Sequence, residues 1–113
     1  MNQELETLFD LRGQVAMVTG GARHLGYDAA CILAAAGADL VITSRTTDAA
    51  QTSAEKLRAT YGIDALALQL DQTAFANVES VITKATSWKG KVDILVNNAG
   101  GGSGKSPSRS VSY

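Results

Sequence analysis

Val18-Thr19-Gly20-Gly21-Ala22-Arg23-His24-Leu25-Gly26 sets three glycines within nine residues. It follows the apolar run Val15-Ala16-Met17-Val18 and leads into an apolar-periodic stretch, Leu25, Ala29, Ile32, Leu33 and Ala36. A strand, a glycine-rich turn and a helix start succeed one another. That is how a βαβ unit presents backbone N–H groups to a phosphate. Gly20 suits the tight turn, and Gly26 suits close packing of the helix on the strand. The helix then points its N-terminal N–H groups and its dipole at a pyrophosphate. A tight βα turn without a ligand is the plain alternative.

Gln14 to Thr19 reads as a strand apolar on both faces, as a buried parallel strand is. The first helix is expected from about Leu25 to Ala36, stopped by Gly37 at C′. Leu40-Val41-Ile42-Thr43 is a second strand, and Thr46, Thr47 and Asp48 are N-cap candidates for a second helix. Ala50, Ala54, Leu57 and Tyr61 give that helix one apolar face, and Gly62 ends it. Ala65 to Leu70 is a third strand, closed by Asp71. Phe75, Val78, Val81, Ile82 and Ala85 form the stripe of a third helix that ends near Trp88 and Gly90. Val92 and Ile94-Leu95-Val96 make a fourth strand.

The order β-α-β-α-β-α-β implies an α/β fold. The expectation is a Rossmann-like doubly wound parallel sheet with right-handed crossovers and helices on both faces. Residues 1–12 read as an arm and 13–99 as the dinucleotide-binding segment. Residues 100–113 change character: glycines and serines alternate around the only proline, Pro107. Such a stretch buries too little apolar surface to offset chain ordering, so it reads as a flexible tail. Strand four is then expected to keep a free edge, with sheet faces left uncovered.

Composition narrows the function. Apolar residues make up 45% and charged residues 19% of 113 residues, as in one globular domain. Ten Lys and Arg against eleven Asp and Glu leave no basic field for nucleic acid or a membrane surface. No run approaches the roughly 18 apolar residues of a membrane span. A single cysteine, Cys31, fits a reducing compartment, so a cytoplasmic location is expected. Cys31 falls on the inner side of the first helix and reads as a small packing side chain.

The remaining site candidates lie at strand ends. A dinucleotide fold reads the adenosine ribose about 20 residues beyond its glycine loop. An acid there favours NAD(H), because it accepts bonds from the 2′-hydroxyl and repels a 2′-phosphate. Here Ser44 and Arg45 hold that place, and no Asp or Glu comes before Asp48. Arg45 can pair with a 2′-phosphate bidentately and Arg23 can assist, which favours NADP(H) and keeps NAD(H) as the second choice. Asp71 either accepts a bond from the adenine amino group or caps the third helix, and both can hold. Asn97-Asn98-Ala99-Gly100 closes strand four at the same edge. Asparagine amides there can tie a loop to its neighbour or line the cofactor channel. His24 lies in the phosphate turn, where it can contact a phosphate, and no partner acid makes it a general base.

These motifs resemble the short-chain dehydrogenase/reductase family, over about residues 8 to 102. The family's cofactor pattern Thr-Gly-x-x-x-Gly-x-Gly stands here as Thr19 to Gly26, and Asn97-Asn98-Ala99-Gly100 is complete. Gly37-Ala38-Asp39-Leu40-Val41-Ile42 and Asp71 also look like the family's. The resemblance implies the N-terminal half of an oxidoreductase that moves hydride between NADP(H) and a small carbonyl or alcohol substrate. It implies cofactor contacts at Thr19, Gly20, Gly21, Arg23, His24, Leu25, Gly26, Ser44, Arg45, Asp71, Asn97, Ala99 and Gly100. Within the family the chain is similar to gluconate 5-dehydrogenases and 3-oxoacyl carrier-protein reductases. The assembly is left open, a homo-oligomer included.

Two departures matter. His24 replaces the glycine that lets the family's backbone approach the pyrophosphate, so its Cβ crowds that approach while its imidazole can donate to a phosphate. The family's catalytic serine and Tyr-x-x-x-Lys are not found here: Tyr113 has no lysine after it. No catalytic role is carried onto these residues, and no turnover is expected of them alone. The alternatives are a non-catalytic nucleotide-binding or regulatory module and, further off, a flavodoxin-like domain that takes FMN.

Overall fold

Along each of the four parallel strands, side chains alternate between two apolar layers, which is what a strand covered on both faces requires. The computed structural model describes residues 10–22, 24–71, 75–98 and 111–112. The strands are β1 (Val15–Thr19), β2 (Asp39–Ser44), β3 (Ala65–Gln69), β4 (Ile94–Asn97) and β5 (Val111–Ser112). The helices are α1 (His24–Ala35), α2 (Thr47–Tyr61) and α3 (Phe75–Lys89). The sheet order is β3-β2-β1-β4-β5, and the first four strands run parallel.

One layer joins Ala16 and Val18 of β1, Leu40 and Ile42 of β2, Ala65 of β3 and Ile94 of β4 to Ala30 and Ala34 of α1 and Ala54 and Leu57 of α2. The other joins Val15, Met17 and Val41 to Val81 and Ala85 of α3. The split follows from handedness. From β1 to β3 the chain steps outward in one direction; it then returns past β1 to place β4. Right-handed crossovers therefore set α3 on the face opposite α1 and α2. The face with one helix keeps an apolar groove of about 370 Å³, lined by Met17, Val78, Val81, Val92 and Leu95 and reaching Thr19 and Asn97.

Three expectations need correction. The α1 stripe does not bury Leu25 and Ile32, which are 74% and 71% exposed. The buried positions are Ala30 and Ala34, because α1 approaches the sheet through small side chains. Ile82 of α3 is likewise half exposed at 51%. The edge of β4 is also not free, since Val111–Ser112 pairs antiparallel with Leu95–Val96. An isolated strand edge leaves N–H and C=O groups without partners, and this short antiparallel pairing takes up some of them. Residues 1–9, 99–110 and 113 lie outside the described residues, and with them most of the expected arm and tail.

Local signals read well. Of the three N-cap candidates Thr46 is the cap, its Oγ1 accepting the Ala49 N–H at 3.3 Å. Gly37 takes φ 103° as it leaves α1, and its N–H donates to the Ala34 carbonyl. Cys31 is half-buried against the α1/α2 layer, together with Tyr27 and Tyr61. No helix among the described residues is long and apolar enough to cross a membrane.

At the opposite end of the sheet, Asp93 accepts the Val15 N–H at 2.8 Å and pairs with Lys91 at 3.1 Å. The Val15 bond first, and the ammonium second, hold this carboxyl below the usual aspartate range. A depressed folded-state pKa contributes stability that is full above the unfolded value and is lost as pH falls through the folded one. Asp93→Asn should therefore lower Tm at neutral pH, with the gap to the parent closing below about pH 4. A gap independent of pH would show that the carboxylate's charge is not what Val15 needs.

Candidate functional site

The carboxyl ends of β1 and β4 meet where the strand order reverses, the crevice in which open α/β sheets take ligands. Thr19 ends β1 in register with Asn97, and its hydroxyl joins the two ends. It donates to Asn97 Oδ1 at 2.9 Å and accepts the Asn98 N–H at 2.9 Å. Asn98 Nδ2 reaches back to the Gly20 carbonyl at 3.4 Å. The asparagine pair thus ties the end of β4 to the glycine turn.

β2 grips the turn from its other side. The Gly20 N–H donates to Thr43 Oγ1 at 3.3 Å, and the Gly21 N–H donates to the Thr43 carbonyl at 3.0 Å. Gly20 sits at φ 66°, a left-handed conformation that favours glycine. Beneath Gly21 there is little room: a Cβ would lie 3.0 Å from both Ile42 Cδ1 and Cγ2. A Cβ on Gly26 would lie 2.3 Å from the Gly20 carbonyl oxygen and 2.7 Å from Asn98 Nδ2. Gly26 therefore lets α1 seat its first turn directly on the glycine turn.

The Gly20 and Gly21 N–H groups are bonded to β2, and the first turn of a helix supplies N–H groups without helical partners to an anion. The two helices on this face differ there. α2 has the Thr46 cap and Asp48 in its first turn, whereas α1 has no acidic residue in its own. A helix start of that kind fits an anion from outside the chain.

One strand over, Ser44 is buried at the end of β2, and the exposed Arg45 follows it. Among the described residues the Arg45 guanidinium makes no ion pair. At the end of β3, Asp71 is exposed, and its backbone N–H donates to Asn77 Oδ1 at 2.5 Å. Leu25 stands exposed at the start of α1. A dinucleotide suits this donor set: a helix start without its own acid for the pyrophosphate, and an exposed arginine at the next strand end for the ribose end.

Of the residues singled out from sequence, Thr19, Gly20, Gly21, Gly26 and Asn97 come together around the turn, with Ser44 and Arg45 at the neighbouring strand end. Arg23, Ala99 and Gly100 lie outside the described residues, as does the side chain of His24. Asn98 is the half of the asparagine doublet that reaches the Gly20 carbonyl, the tie expected of that motif. Thr43 also holds the turn, and it is hidden in a β-branched strand run that carries no mark of its role.

Comparison with known proteins agrees with this geometry. The family model described as short chain dehydrogenase matches residues 14–112. An NADP-dependent mannitol dehydrogenase of Hypocrea jecorina is 38% identical over 96 residues, which is 82% of this chain and 36% of that protein. The 3-oxoacyl acyl-carrier-protein reductase of Escherichia coli K12 is 40% identical over 91 residues, 80% of this chain and 36% of the reductase. The L-sorbose reductase of Gluconobacter frateurii, solved with NADPH and L-sorbose, superposes with a TM-score of 0.78 at 33% identity, over 81% of this chain and 35% of that one. The chain thus spans about a third of the length of the curated relatives it matches. With the match running through every described strand, this chain belongs to the short chain dehydrogenase family.

Proposed function

We propose that this chain is the cofactor-binding segment of an NADP(H)-preferring oxidoreductase that acts on a small carbonyl or alcohol substrate. One observation carries the cofactor preference. Where an NAD(H)-reading acid would stand at the end of β2, Ser44 and an exposed Arg45 stand instead, and Arg45 has no ion pair among the described residues. The NADP-dependent mannitol dehydrogenase and the NADPH-bound L-sorbose reductase support the same choice.

The residues divide the ligand between them. The first turn of α1, from His24 to Gly26, receives the pyrophosphate at the helix N-terminus. Arg45 and Ser44 hold the 2′-phosphate, with Arg23 assisting. Asp71 accepts from the adenine, and Asn97 lines the channel beyond the glycine turn. When bound, the nicotinamide gives or takes the hydride. No Tyr-x-x-x-Lys occurs in these 113 residues, so they bind the cofactor without turning a substrate over.

Nucleotide titration of the chain tests the reading. NADPH should bind at least tenfold more tightly than NADH. Arg45→Ala should weaken NADPH by roughly tenfold to a hundredfold, the worth of a charge-assisted hydrogen bond, and leave NADH nearly unchanged. Equal affinities for the two nucleotides in the parent chain would overturn the preference. Reduction of a carbonyl substrate by the chain alone would overturn its assignment as a binding segment.

A further inference from the structure

At the far edge of the site, Gln69 makes an unusual reach. It is the last residue of β3, in register with Ser44, and its strand is an edge of the described sheet. Its side chain lies on the α1/α2 side of the sheet, by alternation from Ala65 and Ala67. From there Gln69 Nε2 passes its own register partner and donates to the carbonyl of Arg45 at 3.0 Å. Solvent could satisfy that exposed carbonyl equally well. The bond therefore adds little to folding, but it does fix the direction of the Arg45 backbone.

The neighbouring residues are anchored too. The Leu70 N–H donates to the Ser44 carbonyl at 2.8 Å. Thr46 is held at φ −116° and ψ 143° as the cap of α2, its hydroxyl accepting the Ala49 N–H. Three consecutive residues, Ser44, Arg45 and Thr46, thus each carry a bond that sets their backbone. Of the three, the Arg45 anchor alone comes from a side chain of another strand. Without it the peptide after Arg45 can rotate, and the guanidinium has to be ordered at the moment of binding.

We infer that Gln69 is a positioning residue for cofactor choice: its amide orients the Arg45 backbone so that the guanidinium meets a ribose 2′-phosphate. This rests on the NADP(H) reading of Ser44 and Arg45. It assigns to β3, which carries no charge at this position, part of the discrimination exerted from the end of β2. A role of this kind acts on the 2′-phosphate alone. It changes the ratio of NADPH to NADH affinity, whereas general loosening of the site lowers both affinities together.

The test is titration of the parent chain and of Gln69→Leu, Gln69→Ala and Gln69→Lys with NADPH and with NADH, alongside Tm. Gln69 is exposed, so all three variants should melt close to the parent. Leu and Ala remove the donor; Lys keeps one. The expected result is a three- to tenfold fall in the NADPH-to-NADH affinity ratio for Gln69→Leu and Gln69→Ala, with NADH affinity unchanged and the ratio kept in Gln69→Lys. If the parent prefers NADPH and the donorless variants keep its ratio, the role of Gln69 is overturned while the NADP(H) reading stands. If the parent shows no preference, that reading fails and the inference falls with it.

Discussion

Gly26→Ala is expected to lower Tm by roughly 10 °C or more, although alanine is the better helix former. At an exposed helical site the exchange would stabilise by about 1 kcal/mol. Here two terms oppose. The new methyl would lie 2.3 Å from the Gly20 carbonyl oxygen, a backbone atom of the turn. It would also lie 2.7 Å from Asn98 Nδ2, whose amide is held on that same carbonyl. Neither is the loose end of a flexible side chain, so α1 has to move away from the turn. Overpacking of this kind costs about 1–3 kcal/mol and occasionally more, enough to exceed the propensity gain. The expected net loss is about 2 kcal/mol for Ala and more for Gly26→Val, whose branches meet the same atoms. The displaced helix also carries the N–H groups assigned to the pyrophosphate, so NADPH affinity should fall in the surviving folded protein. Thermal melting with a parallel NADPH titration reads both effects. A Tm at or above the parent's would mean that α1 does not seat on the Gly20 carbonyl.

The contrast between Gly26 and Leu25 shows what was legible in the sequence and what was not. The four parallel strands were legible because their runs are apolar on both faces, which suits a buried parallel sheet and little else. The glycine spacing was legible for the same kind of reason: a Cβ-free residue that begins a helix after a strand needs a close neighbour to explain it. The packing face of α1 is legible only in part. Periodicity weights large apolar residues and puts Leu25 and Ile32 inside with Leu33, and of these three Leu33 packs against the core. Yet on a helix brought close by Gly26 the fully covered positions are Ala30 and Ala34, with Tyr27, Cys31 and Leu33 packed at their flanks. Thr43 and Gln69 carry no sequence signal for another reason. Each acts on a carbonyl or N–H distant in sequence, and nothing in a residue's own neighbours records which backbone group it will meet. The pairing of Val111–Ser112 with β4 is the extreme case, two residues beyond a Gly/Ser stretch.

Ile42→Ala should be the most damaging core truncation at the site, with a loss of about 2–5 kcal/mol. Ile42 is fully buried, in the middle of β2 and the middle of the α1/α2 layer. Its Cδ1 and Cγ2 lie under Gly21, close enough that a Cβ there would be 3.0 Å from each. The side chain is therefore both core and floor of the glycine turn. Its truncation leaves a cavity beneath the turn. Collapse of that cavity would pull down Gly20 and Gly21, whose N–H groups are already bonded to Thr43. Ile42→Val removes one methyl and should cost about 0.5–1.5 kcal/mol, with the floor nearly intact. Ile32→Ala is the control from the misread stripe: an exposed isoleucine on α1 should change stability by no more than about 0.5 kcal/mol. Denaturant unfolding of the three variants gives the ranking, Ile42→Ala far below Ile42→Val, and Ile32→Ala close to the parent. If Ile32→Ala cost as much as Ile42→Ala, α1 would be packed through its large residues after all, and the close seating that gives Gly26 its meaning would be wrong.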